Sequence, residues 1–413
     1  MIVLILKKKV VLKENGLTRV YPFSQTDLLD LNSILVCVSS NELYKIQNIL
    51  KIKSITKNND IVFLSEEKLL QLNTYPMRIG RISGGFVDNN SFYMHKEFNI
   101  LELQLKKLKD NNPKKKHFRI AIVNGFGLNL GDNVVGTTAF RVISKYLKNN
   151  FKSFSVDLFY ASNANKACID IVGYETYINK IFFESILLND FLSYDAYFDL
   201  TNLIALPKFG TMPTVDWYLW WFGLDYKKVT ELEKRNKGFV KNNEILLVRS
   251  LLKNIQEKKI FFNPNSSTSL RSIPLKIATK IVKKILSLSN NLTLIIDFPT
   301  KFKHKNLLNL QGHINSVEIL KALIMEVDTI ITVDTFALHW ADACNKPSVL
   351  LTSSIPPNIF KYYPLNNSIP LDNYDKLPAF NKPKVEELEW IKISREYEDA
   401  WNKLDVKKII KYL

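Results

Sequence analysis

The sequence contains only three cysteines, Cys37, Cys168 and Cys344, and their spacing matches neither a zinc site nor a redox pair. Three thiols without a recognisable secretory signal predict a reducing compartment, in which these side chains pack in the core. Long apolar runs are also missing, since no stretch reaches the roughly 18 residues that a membrane-spanning helix needs. The apolar residues 1–6 are too few for a signal peptide and precede three lysines, 7–9. We therefore expect a cytoplasmic protein.

Acidic residues are scarce relative to basic ones. The 413-residue chain has 57 Lys and Arg against 40 Asp and Glu, which gives a formal net charge of +17. This excess suits phosphate ligands, anionic lipid headgroups and nucleic acid alike, and a merely solvated basic surface is the alternative. Nucleic acid is not expected as a partner, because no basic and aromatic recognition motif is present. The composition, 46% hydrophobic and 23% charged, is that of a soluble globular protein with two or three domains.

One stretch organises the rest of the chain. An apolar run, Phe118–Val123, enters a glycine-rich bend, and a helical pattern of apolar residues starts at Val134. The bend therefore lies at the carboxyl end of a buried strand, where open α/β sheets bind ligands. Asp132 stands at the start of the helix, with no basic residue within several positions to neutralise it. Asp132 is the first catalytic candidate.

The glycines of this bend have a second interpretation. Gly125, Gly127 and Gly131 form a GxGxxxG pattern, which is a loosened version of the dinucleotide fingerprint. A dinucleotide site needs an acidic residue at the end of the next strand, whereas Asp157 lies in the middle of it. Asp132 would also repel a phosphate group at the start of the helix. The dinucleotide hypothesis is therefore the weaker alternative.

Strand and helix patterns alternate through most of the chain, which predicts parallel sheets joined by right-handed crossovers. We expect an α/β protein with two doubly wound, Rossmann-like domains that face a cleft. The expected ranges are a small N-terminal α+β module at 1–110, a first Rossmann-like domain at 117–240, a second at 257–382, and C-terminal helices at 383–413 that pack across the domains.

The second domain has a polar loop between a strand end and a helix that opens at Pro274. The loop combines amide, hydroxyl and guanidinium groups, and its candidate ligand-binding residues are Asn263, Ser266, Ser267, Thr268 and Arg271. A helix N-terminus favours anions, and a forked guanidinium suits a diphosphate. The alternative is a polar loop whose serine caps the helix.

A further strand-to-helix junction carries Asp334 and Thr335, with His339 one turn into the helix. Asp334 at this place is either an N-cap, the commonest use of Asp there, or a ligand contact. For His339 the alternative is a hydrogen-bonded core histidine. If both sheets are parallel, these junctions lie at the edge of the sheet where ligands bind.

Together the three junctions resemble the ADP-heptose heptosyltransferases, which are glycosyltransferase family 9 of the GT-B fold. Residues 131–138, Gly-Asp-Asn-Val-Val-Gly-Thr-Thr, are similar to the Gly-Asp, aliphatic, Thr segment of that family. Residues 263–274 resemble its loop with Lys or Arg three positions before Pro, and residues 333–339 resemble its Asp-Ser/Thr-Gly…His motif. Residues 221–225 resemble the Leu-Gly-Leu segment before the second domain. The resemblance covers roughly residues 118–365.

The resemblance implies an inverting sugar transfer with Asp132 as the base. It implies that a nucleotide-sugar donor, expected to be ADP-linked, is bound by Asn263, Ser266, Ser267, Thr268, Arg271, Asp334, Thr335, Phe336 and His339. Gly127, Gly131 and Asn133 would form the acceptor side of the cleft. The implied acceptor is a lipid-linked saccharide or glycan, as in lipopolysaccharide, at the inner face of the cytoplasmic membrane. The basic excess suits peripheral contact with anionic lipid there.

No cofactor or metal is expected, since the chain contains no DxD motif of the metal-chelating glycosyltransferases. Two departures from the family pattern motivate alternatives. Phe336 takes the place of a glycine, and Ser353–Pro357 replaces a Gly-Pro-Thr-Asp-Pro-like loop. These changes are consistent with a different sugar, or with a catalytically silent GT-B-like binding or scaffold protein. A protein glycosyltransferase is a further alternative.

Overall fold

The structure is a computed structural model that describes residues 2–5, 9–13, 35–38, 58–62, 110, 113–151, 153–160, 164–183, 194–200, 203–205 and 208–413. In the N-terminal region it gives four strands, β1 (Ile2–Ile5), β2 (Lys9–Lys13), β3 (Leu35–Val38) and β4 (Asn58–Val62). They form an antiparallel sheet in the order β3-β1-β2-β4. The rest of the module expected at 1–110 lies almost entirely outside the described residues.

The chain divides into two compact units. The first comprises residues 1–128, 139–209 and 215–229, and the second comprises 129–138, 210–214 and 230–413. The division assigns the residues around Asp132 to the second unit, although the strand that precedes them belongs to the first.

The first unit contains a parallel sheet of four strands. They are β5 (His117–Val123), β6 (Ser153–Phe159), β7 (Ile178–Phe182) and β8 (Ala196–Asp199), in the order β7-β6-β5-β8. Helix α1 (Leu130–Asn150) connects β5 to β6, and the short α2 (Ile169–Val172) precedes β7. The strand predicted from the apolar run Phe118–Val123 is confirmed to within one residue.

An aromatic cluster fills the core of this unit. The Phe222 ring meets the Phe140 ring edge-on at 5.4 Å and the Phe198 ring at 4.7 Å. Helix α3 (Thr214–Trp221) carries Trp217, which is fully buried and stacks on Trp221 at 5.4 Å. These side chains form the core of the unit, and their offset and edge-on arrangements are those that aromatic pairs favour.

The second unit contains a parallel sheet of six strands. They are β9 (Lys258–Asn263), β10 (Leu292–Ile296), β11 (Leu307–Asn309), β12 (Thr329–Val333), β13 (Ser348–Thr352) and β14 (Asn366–Pro370). Their order is β11-β10-β9-β12-β13-β14. Successive strands are therefore added toward one edge of the sheet up to β11 and toward the other edge from β12 onward, so the order reverses between β9 and β12. In an open α/β sheet this reversal point is where ligands bind.

Helices flank this sheet because their apolar residues recur on one face. Helix α4 (Asn242–Leu252) packs against α6 (Val317–Glu326), while α5 (Leu275–Leu288) follows β9 and α7 (Phe336–Ala343) follows β12. The C-terminal helices are α8 (Glu387–Asn402) and α9 (Val406–Ile410). Trp401 and Ile409, from the ends of this region, are buried in the same core as the sheet.

The α/β class and the two parallel, doubly wound sheets are thus confirmed. Among the described residues, no helix combines the length and the apolar character that are needed to cross a membrane.

Candidate functional site

Three segments of the second unit meet at the reversal point of its sheet. They are the start of α1, the loop that leaves β9, and the start of α7. The start of α1 contains the Gly-Asp segment. The other two segments follow the adjacent strands β9 and β12. Carboxyl ends of parallel strands share one edge of a sheet, so the last two were expected to be neighbours.

The loop after β9 is closed by its own hydrogen bonds. Ile273 N donates to Pro264 O over 2.9 Å, which joins the two ends of the loop. Ser272 Oγ accepts a hydrogen bond from Ser266 N at 2.9 Å and donates to Thr268 O at 2.8 Å. Leu270 is buried beneath the loop. The serines and the threonine are therefore held in place rather than only solvated.

Arg271 projects from this loop toward the start of α7. Its Nη1 lies 2.7 Å from Asp334 Oδ2 and 3.2 Å from Asp334 O. Its Nε donates to Thr268 Oγ1 at 3.2 Å, and its Nη2 donates to Ser267 Oγ at 2.9 Å. A guanidinium has five N–H donors. Its bonds to other described residues use four of them, so one N–H remains for a ligand. The Arg271 side chain is 15% exposed, so a ligand can reach it.

Helix α7 begins after Thr335, whose side chain makes no capping hydrogen bond. Ser266 Oγ instead donates to Asp334 O at 2.8 Å, which ties the β9 loop to this helix start. The first N–H groups of a helix favour anions when no side chain caps them. The Asp334 side chain is thus used for the ion pair with Arg271 and not for an N-cap.

His339 lies one turn into α7 and is half-buried. Its Nδ1 is 2.6 Å from the hydroxyl of Tyr363. Burial lowers the pKa of His339 to about 4, with Asp334 raising it and Arg271 lowering it further. The imidazole is therefore neutral at physiological pH. The charges of Asp334 and Arg271 both shift the pKa of His339, so His339 belongs to this site and is more than a core residue.

Asp132, in the first turn of α1, is close to the same charged groups. Burial raises the pKa of Asp132 from 3.8 to about 6, opposed by a hydrogen bond from Asn129 and by the charge of Arg271, while Asp334 raises it. Asn129 Nδ2 donates to Asp132 Oδ2 over 3.2 Å. A carboxylate with this pKa is ionised at neutral pH and still basic enough to accept a proton, as a general base must be.

Gly131 brings the α1 segment and His339 into contact. A β-carbon added at Gly131 would lie 2.8 Å from His339 Cδ2 and 3.1 Å from Nε2. Such separations are too short for a real side chain, so only glycine permits this approach. The structure therefore places Asp132, Arg271, Asp334 and His339 in one region of the second unit.

Other predicted residues serve the local structure. Asn133 is buried, and its amide donates to Asn129 O at 2.8 Å. Gly127 belongs to the first unit and adopts φ 111°, the left-handed region, in the turn after β5. Asn263 Oδ1 accepts from Asn265 N at 3.3 Å. The Phe336 ring is buried and stacks on Trp340 at 5.6 Å.

A cavity of about 320 Å³ opens beside the site at the ends of β9 and β10. Asn263, Pro264 and Asp297 line it, together with Ser316 at the start of α6. Burial raises the pKa of Asp297, and His313 lowers it. The volume is at the lower end of the range for small-molecule sites. In the part of the chain that the structure describes, no group of three or more His, Cys, Asp or Glu is placed to hold a metal ion.

Several contributors carried no recognisable sequence signal. Tyr363, Asn236 and Asp297 lie outside the three motifs, and Asn129 lies two positions before one of them. Asn236 is buried, with its Oδ1 2.9 Å from the Thr138 hydroxyl of α1. Only the polar character of Asn129 beside the Gly-Asp segment could have suggested a role.

The comparisons with known proteins find no matching family model and no match among curated proteins. Solved structures that match include a glycosyltransferase family 9 protein from Veillonella parvula, at 14% identity over 68% of this chain and 97% of that one, with a TM-score of 0.45. They also include ADP-heptose lipopolysaccharide heptosyltransferase II from E. coli, at 14% identity over 69% of this chain and 98% of that one, TM-score 0.45. E. coli heptosyltransferase WaaC with ADP matches at 12% identity over 70% and 100%, TM-score 0.39. By their names these proteins are of the kind that the sequence motifs resemble.

Proposed function

We propose that the protein is an inverting glycosyltransferase. It moves a heptose-like sugar from a nucleoside-diphosphate donor, expected to be ADP-linked, to a saccharide acceptor of lipopolysaccharide or another cell-surface glycan. The observation that carries the proposal is Asp132, a half-buried carboxylate with its pKa raised to about 6, close enough to Arg271 and Asp334 for their charges to act on it. A potential base and potential phosphate-binding groups are therefore near one another.

Asp132 acts as the general base. It accepts the proton of an acceptor hydroxyl, whose oxygen attacks the anomeric carbon of the donor from the face opposite the diphosphate. The new glycosidic C–O bond forms as the bond to the diphosphate breaks, and the diphosphate leaves with the electron pair. The anomeric configuration is inverted, because a single displacement occurs. A base with its pKa near the working pH typically contributes about 10²–10⁴-fold to the rate.

The donor diphosphate binds to the loop after β9 and the start of α7. Arg271 retains a donor N–H beyond its four bonds, and Ser267 and Thr268 beside it supply hydroxyls. The N–H groups at the start of α7 add a positive dipole end. These groups stabilise the negative charge of the leaving diphosphate in a preorganised way, which is how a metal-independent transfer is achieved here.

The nucleoside end of the donor occupies the cavity at the ends of β9 and β10. It adjoins Asn263, the first residue of the loop, so a diphosphate on that loop places its nucleoside beside Asp297. A carboxylate at this position accepts hydrogen bonds from ribose hydroxyls. The buried ring of Phe336 does not reach this cavity, since its lining residues come from other segments.

A mass-spectrometric assay tests the proposal. The purified protein is incubated with a panel of nucleotide sugars, and release of nucleoside diphosphate or transfer of the sugar is measured. Asp132→Asn is the inactive comparison, and Asp372→Asn, on the surface beside Lys408, is the matched control. Donor turnover by the wild type and the control, but not by Asp132→Asn, supports the proposal.

Calorimetry with the same nucleotide sugars and with ADP, UDP and GDP separates the alternatives. Binding without turnover would favour the catalytically silent binding protein that Phe336 and the Ser353–Pro357 loop suggest. The structure gives that loop a packing role, since Ser353 is buried and its Oγ donates to Leu270 O at 2.8 Å. Absence of any binding would remove the basis of the enzyme proposal.

A further inference from the structure

Tyr363 is the recorded hydrogen-bond partner of His339. The Tyr363 hydroxyl is 2.6 Å from His339 Nδ1, and the two rings meet edge-on at 5.8 Å. Phe360 packs against both rings, at 6.1 Å from His339 and 6.0 Å from Tyr363. Tyr363 is buried, so water does not compete freely for its hydroxyl. The phenol and the imidazole are therefore fixed relative to each other.

The hydrogen bond has a definite direction, because the neighbouring groups leave one choice. The carboxylate of Asp342 is occupied by Arg235, at 3.1 Å, and by Asn236 N, at 2.9 Å. Burial raises the pKa of Tyr363 well above 10, so its hydroxyl keeps its hydrogen, and a buried hydroxyl hydrogen needs an acceptor. In the continuously described range 208–413, His339 Nδ1 is the one hydrogen-bond partner of the Tyr363 hydroxyl, so we infer that Nδ1 is the acceptor.

A neutral imidazole carries one hydrogen, on either Nδ1 or Nε2. If Nδ1 accepts from Tyr363, the ring hydrogen is on Nε2. The Cδ2–Nε2 edge is the one that lies against Gly131, next to Asp132, as the position of an added β-carbon shows. The N–H group is therefore at the side of the ring that faces the start of α1.

We propose that Tyr363 is a positioning residue that holds His339 as the neutral Nε2–H tautomer, so that Nε2–H can donate a hydrogen bond to a ligand oxygen beside Asp132. The ligand part of this inference rests on the proposed function, whereas the tautomer does not. The oxygen belongs to the sugar or the diphosphate of the donor, because His339 lies on α7, which starts beside Asp334, the ion-pair partner of Arg271.

Nitrogen-15 NMR of the histidine side chains in the unliganded protein tests the tautomer. The chain has five histidines, and the spectrum of His339→Gln identifies the signal of His339. We expect a neutral Nε2–H pattern in the wild type and a mixture of the two tautomers in Tyr363→Phe, which keeps the ring. Tyr362→Phe is the matched control, because the Tyr362 hydroxyl lies 3.0 Å from Lys234 Nζ and not against His339. An Nδ1–H tautomer in the wild type, or an unchanged signal in Tyr363→Phe, would overturn the proposal.

A double-mutant cycle tests the consequence for the donor. Glutamine at position 339 offers an amide N–H near the place of Nε2 and has no tautomers. We expect Tyr363→Phe to weaken donor binding or turnover about tenfold in the wild type and less than twofold in His339→Gln. Equal losses in both backgrounds would show that Tyr363 acts only through packing. If the NMR result holds but no nucleotide sugar binds to any variant, the proposed function fails while the tautomer assignment stands.

Discussion

Arg271 Nη1 lies 2.7 Å from Asp334 Oδ2, so the guanidinium that is expected to bind phosphate is already paired with a carboxylate. The pair joins the loop after β9 to the start of α7. These two segments are adjacent in space but more than sixty residues apart in the chain. Both partners are largely buried, and removing only one leaves a poorly solvated charge. Arg271 therefore has a structural role, from which experiments must separate its proposed ligand-binding role.

Arg271→Ala should weaken nucleoside diphosphate binding more than nucleoside binding. A charge-assisted hydrogen bond contributes about 1.5–3 kcal/mol, which corresponds to roughly 10–150-fold in affinity. Calorimetry with both ligands measures the difference. The double variant Arg271→Ala, Asp334→Asn removes the unpaired carboxylate, so we expect it to recover thermal stability but not diphosphate affinity. Equal weakening of both ligands in the double variant would mean that Arg271 only supports the fold.

Asp132→Asn should preserve donor binding and reduce turnover by about 10²–10⁴-fold, because shape is kept and basicity is lost. In the wild type, turnover should rise with pH through about 6, since only the ionised carboxylate accepts a proton. Steady-state rates between pH 4.5 and 8.5 measure this limb. A residual rate in Asp132→Asn within a few-fold of the wild type would contradict the role.

The Asn129 side chain offers a finer test of the same carboxylate. Its amide donates to Asp132 Oδ2 and lowers the pKa of Asp132. In Asn129→Ala the acidic limb of the pH–rate profile should therefore move to higher pH, with a similar maximum rate. Asn290→Ala, at an exposed position between α5 and β10, is the control. A limb that stays in place would show that another group titrates.

The raised pKa of Asp132 also predicts a change in stability. A folded-state pKa near 6, above the value of 3.8 for the unfolded chain, means that protonation favours the folded state. The stabilisation is fully present below pH 3.8 and is lost as the pH rises through 6. The Asp132→Asn variant has no carboxylate to ionise and keeps its stability as the pH rises. Its melting temperature should therefore exceed that of the wild type by a few degrees at pH 8, because about 1 kcal/mol shifts Tm by about 2–4 °C. The difference should vanish near pH 4, and an equal difference at both pH values would contradict the prediction.

The basic surface predicts contact with anionic membranes, as a lipid-linked acceptor requires. Each lysine near such a surface contributes about 1 kcal/mol, and salt screens the attraction. We expect co-sedimentation with anionic vesicles at low salt, release at high salt, and no binding to zwitterionic vesicles. If anionic vesicles fail to bind the protein even at low salt, the charge of +17 is only solvated, and a soluble acceptor such as a protein is favoured.

The strands and the strand-to-helix junctions could be predicted from the sequence because apolar runs, glycines and prolines mark them locally. The stacking of Phe336 on Trp340 also follows from local spacing, since residues four apart share a helix face. The Arg271–Asp334 pair and the Tyr363–His339 bond could not be predicted. They join distant segments through single contacts, and no residue pattern around Tyr363 distinguishes it from its neighbour Tyr362.

The order of strands in the six-stranded sheet has a consequence for synthesis. Strand β9 is made first, yet its neighbour β12, which leads into Asp334 and helix α7, follows only after two further strands. The core around them includes Trp401 and Ile409, near the last residue. A ribosome-bound chain interrupted before α8 and α9 therefore contains the β9 loop and the start of α7 but lacks part of the core that supports them. Donor binding should therefore appear abruptly, and only after α8 and α9 have been added to the core.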